Sequence, residues 1–258
     1  MPFITARGRR LEYAWFGPIE ATTRPIVMLH EGLGSLTQWK DFPEQLAAAT
    51  QRPVLAYSRY GYGASEPLAG PLGVDFMHIE ALETLPQLLD ALEVREPVMF
   101  GHSQGASMAL IHAARANRPV TAVVTMAPLV FAESYGLDSI RQARRLFLDE
   151  DLREKLARYH DDVESAFWGW NDIWLNPDFA TWNIEALLPK ITCPVLTIQG
   201  FEDEYGTIEQ IDRIARAVPH LRRLELRQCG HSPHRDQPEA VLAAVTNFLA
   251  EHSLRTFP

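Results

Sequence analysis

A chain of 258 residues is long for one domain but of a size common for a single α/β enzyme carrying an insertion, and it can bury a sizeable core. With 47% hydrophobic and 22% charged residues it sits near average globular usage, which argues against a disordered chain. The formal charge of −9 argues against nucleic acid as a partner, and the one basic cluster, Arg141 with Arg144 and Arg145, has helical spacing among acidic neighbours and reads as a solvated helix face.

In chain order, short β-rich apolar runs alternate with amphipathic helical stretches, the pattern of a mostly parallel sheet covered by helices on both faces. Residues 1–13 carry arginines with no apolar stretch behind them and do not read as a secretory signal. A hairpin is expected around Arg7-Gly8, then strands over 25–30, 53–58, 97–102, 120–127, 193–200 and 221–228. Helices are expected over 39–49, 74–92, 104–115, 207–218 and 238–252. The longest apolar run, 122–132, is broken by Thr125 and Pro128 and is too short to span a bilayer, so no membrane partner and a cytoplasmic location are expected. Residues 134–190 break the alternation: 57 residues of helical pieces stand between two strands, too many for a simple crossover, and read as an inserted cap. The expected division is therefore a core of 1–133 and 191–258 with a helical cap of 134–190. The cap holds Trp168, Trp170, Trp174 and Trp182, four of the six tryptophans. They fit either ordinary packing of cap on core or an aromatic wall over a substrate, and are carried forward as substrate-binding candidates. Cys193 and Cys229 make no disulfide framework, and no Cys/His grouping has zinc spacing, so neither metal nor cofactor is implied.

The chemistry centres on Gly101-His102-Ser103-Gln104-Gly105. A strand runs into this motif and a helix leaves it, the context in which a strained strand-to-helix turn exposes a nucleophilic hydroxyl. The alternative, a helix merely capped by Ser103, leaves both glycines unexplained. A serine hydroxyl needs a base to take its proton and a carboxylate to orient that base. Asp203 follows the strand ending in Gly200, at the sheet end where α/β proteins place their sites, 100 residues after Ser103 and 28 before His231. Glu202 and Glu204 are the lesser candidates and read as a solvated acidic turn. His231, in Cys229-Gly230-His231-Ser232-Pro233-His234, is the expected base, with His234 as its rival. His30, His102 and His112 read as core residues. Oxyanion stabilisation requires backbone N–H groups, expected from Gln104 and from the loop 30–35. That loop lacks the pattern of a dinucleotide site and the lysine of a P-loop.

Taken together, these residues resemble the α/β-hydrolase superfamily over nearly the whole chain. The loop His30 to Ser35 is similar to the family's His-Gly turn, and Ser58-Arg59-Tyr60-Gly61-Tyr62-Gly63-Ala64-Ser65 is similar to its Asp-x-Arg-Gly-x-Gly-x-Ser loop. The elbow at Ser103, the acid at Asp203, and Gly-His followed by Pro238-Glu239 complete the match. The resemblance implies an eight-stranded-type, mostly parallel sheet and a Ser103-His231-Asp203 triad. It assigns the second oxyanion N–H to Gly32. Two departures stand out: Glu31 replaces a glycine, which makes its carboxylate a candidate for substrate selection, and Ser58 replaces an aspartate. Capped members of this length resemble esterases, lactonases, thioesterases and hydrolases of carbon–carbon bonds, whereas a serine nucleophile is unlike the dehalogenase and epoxide hydrolase branches. The expectation is cleavage of a small to medium carboxylic ester or related acyl compound with an apolar or aromatic part, without a cofactor. Carbon–carbon bond hydrolysis of a ring-cleavage product and a non-catalytic ligand receptor are the alternatives, and the oligomeric state, a homo-oligomer included, is left open.

Overall fold

The computed structural model describes residues 1–19 and 24–253. Arg7 and Gly8, with φ of 51° and 70°, close the two-residue hairpin between antiparallel strands β1 (Phe3–Ala6) and β2 (Arg9–Phe16). The other strands are β3 (Ile26–Leu29), β4 (Val54–Tyr57), β5 (Val98–His102), β6 (Ala122–Met126), β7 (Val195–Gly200) and β8 (Leu221–Leu226). Among the described residues eight strands make one sheet in the order β1-β2-β4-β3-β5-β6-β7-β8, parallel from β4 to β8.

The strands β3 to β7 are buried at every position, because both sheet faces are covered. Alternate residues go to opposite faces. Met28, Phe100 and Val124 meet Leu46 of α1 (Phe42–Thr50) and Phe248 of the last helix, whereas Val27, Met99 and Val123 share a core with the helices of the other face. Those helices are α2 (Phe76–Ile79), α3 (Leu85–Ala91) and α4 (Gln104–Arg115), joined later by α8. The edge strand β8 carries Arg222, Arg223 and Glu225, with Arg223 paired to Asp212 at 2.7 Å, and such charges discourage another chain from adding to the sheet.

Two expected helices differ in detail. The one expected over 39–49 begins at Phe42, with Pro43 in its first turn, where a missing N–H costs no helical bond. The one expected over 74–92 is interrupted by a π-helical stretch, Glu80–Thr84. Pro86 cannot donate to the preceding turn, which accounts for the local widening.

Between β6 and β7 the chain forms α5 (Leu137–Asp149), α6 (Leu152–Leu156), α7 (Val163–Leu175) and two 3-10 segments, Pro177–Thr181 and Glu185–Lys190. This excursion has a small apolar cluster of its own, in which Phe147 and Phe167 stack at 3.7 Å. His160 ties it to the rest: its Nδ1 accepts from the Gly63 N–H at 2.9 Å, and its Nε2 lies 3.0 Å from the Leu33 carbonyl. The chain finishes with α8 (Glu209–Ala217), the short α9 (Pro233–Asp236) and α10 (Pro238–Ser253). No helix among the described residues is long and apolar enough to cross a membrane.

Candidate functional site

β3 lies at the centre of the sheet with β4 on one side and β5 on the other, so the loops leaving β3 and β5 diverge and open a crevice at their C-terminal ends. Into it β5 delivers Ser103, at φ 54° and ψ −119°, a conformation costly for a residue with a side chain. Its backbone N–H is anchored to the Met126 carbonyl of β6 at 2.9 Å. The flanking glycines answer to close approach. A Cβ on Gly101 would lie 2.3 Å from the Gly105 carbonyl oxygen, and one on Gly105 would lie 2.1 Å from that of Leu29. The elbow is thus wedged between its own helix and the neighbouring strand.

Asp203 leaves the end of β7 and His231 the loop after β8. The His231 Nδ1 lies 2.9 Å from both Asp203 oxygens. Asp203 is buried and also accepts from Tyr205 N at 2.8 Å, Gly206 N at 3.1 Å and Gln199 Nε2 at 2.8 Å. Burial opposes its ionisation, but the His231 charge and these donors outweigh burial and hold the carboxyl below its ordinary range. Burial likewise disfavours protonated His231, yet the Asp203 charge and hydrogen bond raise its pKa above the ordinary imidazole value. Glu202 accepts from Cys229 N, and Glu204 approaches the backbone N–H of His231 at 3.3 Å, so both acids brace loops and neither meets the His231 ring nitrogens. His234 is buried against Trp39, Phe42 and His102, with no partner on either ring nitrogen among the described residues, and burial pushes its pKa well below the ordinary value.

Opposite the elbow runs the loop after β3. Gly32 lines the same cavity as Ser103 and His231, and Gln104 opens α4, where the first N–H groups of a helix lack intrahelical partners. The Glu31 side chain turns back to His102, whose Nδ1 is 3.2 Å from Glu31 Oε2 and whose Nε2 is 2.6 Å from the His231 carbonyl. His102 thus bridges the Glu31 carboxylate and the His231 backbone carbonyl. Arg235 approaches the other Glu31 oxygen at 3.4 Å. Burial works against an ionised Glu31, but the His102 hydrogen bond and the positive groups nearby set its pKa well below the carboxylate range.

The cavity above Ser103 has a volume of about 110 Å³. Trp170 and Trp174 line it, with Leu33, Leu129, Leu137 and Ile140. Trp168 and Trp182 do not reach it. Trp168 donates to Glu164 Oε2 one helical turn away and packs on Phe147 and Phe167, while Trp182 stacks on Phe179 within the core. The split follows from helix geometry, since Trp170 and Trp174 are four apart on one face of α7 and Trp168 is on another. Tyr205 and Glu133 also line the cavity and escaped the sequence reading. Tyr205 stands two residues after Asp203 with its ring 4.8 Å from that of His231, a proximity that the spacing could have suggested. Glu133 gave no such signal, because it reaches the cavity from the end of the β6 loop while accepting from Thr207 and Gln210. Among the described residues no group of three or more His, Cys, Asp or Glu is placed to hold a metal ion.

Known proteins are similar to this chain along most of its length. The chain is 24% identical to a proline iminopeptidase of Heyndrickxia coagulans, covering 96% of this chain and 97% of that one. It is 26% identical to the 2-hydroxymuconate semialdehyde hydrolase of Pseudomonas sp. (strain CF600), covering 88% and 87%. The fold is similar to that of the enol-lactonase from Burkholderia xenovorans LB400, with a TM-score of 0.74 at 24% identity over 96% of this chain and 100% of that one. The profile of the alpha/beta hydrolase family matches residues 26–244. On that match, and on an eight-stranded sheet that carries the Ser103 elbow at its switch point, the chain belongs to the alpha/beta hydrolase family.

Proposed function

We propose that the protein is a serine hydrolase of a small to medium carboxylic ester or related acyl compound whose apolar part lodges against Trp170 and Trp174. The observation that carries this reading is the strained Ser103 elbow sharing one apolar cavity with His231, whose Nδ1 is held by Asp203. In this reading Ser103 Oγ attacks the acyl carbon and passes its proton to His231 Nε2. The tetrahedral oxyanion is held by Gly32 and Gln104 N–H, and its collapse expels the alcohol, which takes the proton from His231. Water then repeats the sequence on the acyl-enzyme and frees the acid. Asp203 keeps the Nδ1 proton in place and supports the imidazolium. Residues 134–190 act as the cap that shields these steps from bulk water.

The lining also bears on the alternatives. Glu31 and Glu133 are the acids of the cavity and His231 is its basic group, which suits an uncharged acyl compound better than the dianion in the name of one relative, a 2-hydroxy-6-oxononadienedioate hydrolase. Replacing Ser103 with Ala should abolish turnover of p-nitrophenyl butyrate while the thermal transition is kept, and a fluorophosphonate probe should label the wild type only. Retained turnover in Ser103→Ala would overturn the nucleophile, and an unlabelled wild type would return the protein to a ligand-receptor reading.

A further inference from the structure

The Glu31 carbonyl oxygen collects three donors: His30 Nδ1 at 2.7 Å, Arg59 Nη2 at 2.9 Å and Gly34 N–H at 3.1 Å. A peptide carbonyl has two lone pairs, so this oxygen sits in a concentrated positive field. His30 is fully buried, and burial followed by the Arg59 charge pushes its pKa well below the ordinary value, so its ring is neutral. Its Nε2 accepts from the Arg59 backbone N–H at 3.0 Å, which leaves the proton on Nδ1, facing Glu31. The formal charge in the group is therefore the guanidinium of Arg59.

Arg59 is 3% exposed, its guanidinium carbon lies 4.7 Å from the centre of the Tyr62 ring, and its Nε has no partner among the described residues. Its hydrogen-bond partners among the described residues are neutral, the Glu31 carbonyl and Gln104 Oε1 at 3.3 Å, while the buried Glu80 carboxyl acts on it through charge alone. A cation placed in the interior with such partners is costly for stability alone. One contact falls on the Glu31–Gly32 peptide, which carries the Gly32 N–H, and the other on the side chain of Gln104, whose backbone N–H is the second oxyanion donor of the proposed reaction. No peptide bond among the described residues is cis, so the Gly32 N–H points away from the Glu31 carbonyl. Gly32 faces the cavity with Ser103, and no acceptor among the described residues takes its N–H.

We propose that Arg59 is the positioning residue of the oxyanion site. Its buried guanidinium fixes the Glu31–Gly32 peptide with the carbonyl turned inward, polarises that peptide so that the Gly32 N–H carries more positive charge, and holds the side chain of the second donor residue, Gln104. Its charge lies behind the peptide rather than in the cavity, where it would bind an anionic substrate before any reaction. Developing negative charge on the reacting oxygen is stabilised through the peptide, and the ground state gains little.

The inference rests on the serine-hydrolase reading, and the experiment separates the two. Arg59→Met and Arg59→Lys are compared with the wild type and Ser103→Ala on p-nitrophenyl butyrate. Removal of a direct oxyanion donor costs about 100- to 1000-fold in kcat, so loss of a cation acting through one should cost about 10- to 100-fold in Arg59→Met, with KM changed less than about threefold. Arg59→Lys, which keeps the charge and a donor, should recover part of that loss. The infrared carbonyl stretch of a slowly deacylating acyl-enzyme should move to higher frequency in Arg59→Met, and by a smaller step in Arg59→Lys. The lysine variant supplies both measurements should the methionine variant not fold. Lost thermal stability with an unmoved carbonyl band, or kcat within about twofold of wild type, would overturn the role of Arg59 while leaving the hydrolase reading intact. Turnover surviving in Ser103→Ala would remove the hydrolase reading, and this inference with it.

Discussion

Replacement of Asp203 with Asn tests the site through a single proton. Each group that contacts the Asp203 carboxylate is a donor: Tyr205 N and Gly206 N on Oδ1, Gln199 Nε2 on Oδ2, and His231 Nδ1 on both. An asparagine has one acceptor oxygen, and two backbone N–H groups at fixed positions claim it. Its NH2 then occupies the Oδ2 position. Gln199 can adapt by turning over its amide, since its own Oε1 has no partner among the described residues. His231 can adapt only by giving up the Nδ1 proton, which moves the proton to Nε2, the nitrogen that accepts from Ser103 in the proposed reaction. The expected loss in kcat is about 10⁴-fold near neutral pH, with a stability cost of about 1–3 kcal/mol for the lost charged acceptor. The pH profile adds a sign. In the proposed reaction His231 must be neutral to act as base, so activity should fall with acid through its folded pKa, which Asp203 raises above the ordinary 6.5. In the variant the raising influence of Asp203 is gone while burial still lowers the pKa, so the acid limb should move down. Asp203 itself has a depressed folded pKa, so its stabilisation holds above the unfolded value near 3.8 and fades as pH falls through the folded pKa. Ester turnover from pH 4 to 9 and thermal melts extended down to about pH 2 measure all three effects. A variant within about tenfold of wild-type kcat, or an acid limb moved upward, would refute the tautomer argument.

The tryptophans and His234 give two further expectations. Trp170→Ala should enlarge the cavity and raise the preference for p-nitrophenyl octanoate over acetate, whereas Trp182→Ala should keep the acyl-chain profile and lose about 3–5 kcal/mol in urea unfolding; an altered profile in Trp182→Ala alone would reverse the assignment of the two rings. His234→Phe fills an aromatic box in which neither imidazole nitrogen has a partner among the described residues, so stability at pH 7.5 should hold or rise by about 1 kcal/mol. Because the folded pKa of His234 lies below its unfolded value, the unfolded state takes up the proton first and the wild type loses stability as pH falls below 6.5. The variant should therefore lose less between pH 7.5 and 5 in thermal melts, and a steeper loss than wild type would count against the buried neutral ring.

The legible part of the sequence was the part governed by local rules. The strands β3 to β7 are buried on both faces and therefore read as mostly apolar runs, and the run 98–102 ends in a glycine-flanked serine whose spacing the elbow dictates. Asp203 and His231 could be chosen by their place after a strand without knowing how far apart they lie. The cavity lining obeyed no local rule. Four tryptophans within the residues 168–182 looked equivalent, and only the rotation of α7 and the stacking of Trp182 on Phe179 divide them. Glu133 and Tyr205 entered the lining because β6 and β7 are sheet neighbours, a relation absent from residue order.

Glu31 shows why the departure from a glycine at this position could not be read in advance. Its backbone and side chain serve different loops. The carbonyl faces inward to Arg59 and His30, while the carboxylate reaches past the elbow to His102 and Arg235. His102, within the elbow motif itself, continues the contact to the His231 carbonyl. One residue thus joins the loop expected to hold the oxyanion to the loop that carries the expected base, and His102 is the link through which the join passes. A glycine there would keep the carbonyl contacts and lose the carboxylate tie, leaving His231 held by Asp203 through its ring but no longer by the Glu31-His102 chain through its backbone. The carboxylate is therefore a structural tie as well as part of the cavity lining, and its bonds to His102 and Arg235 limit its freedom to meet a substrate.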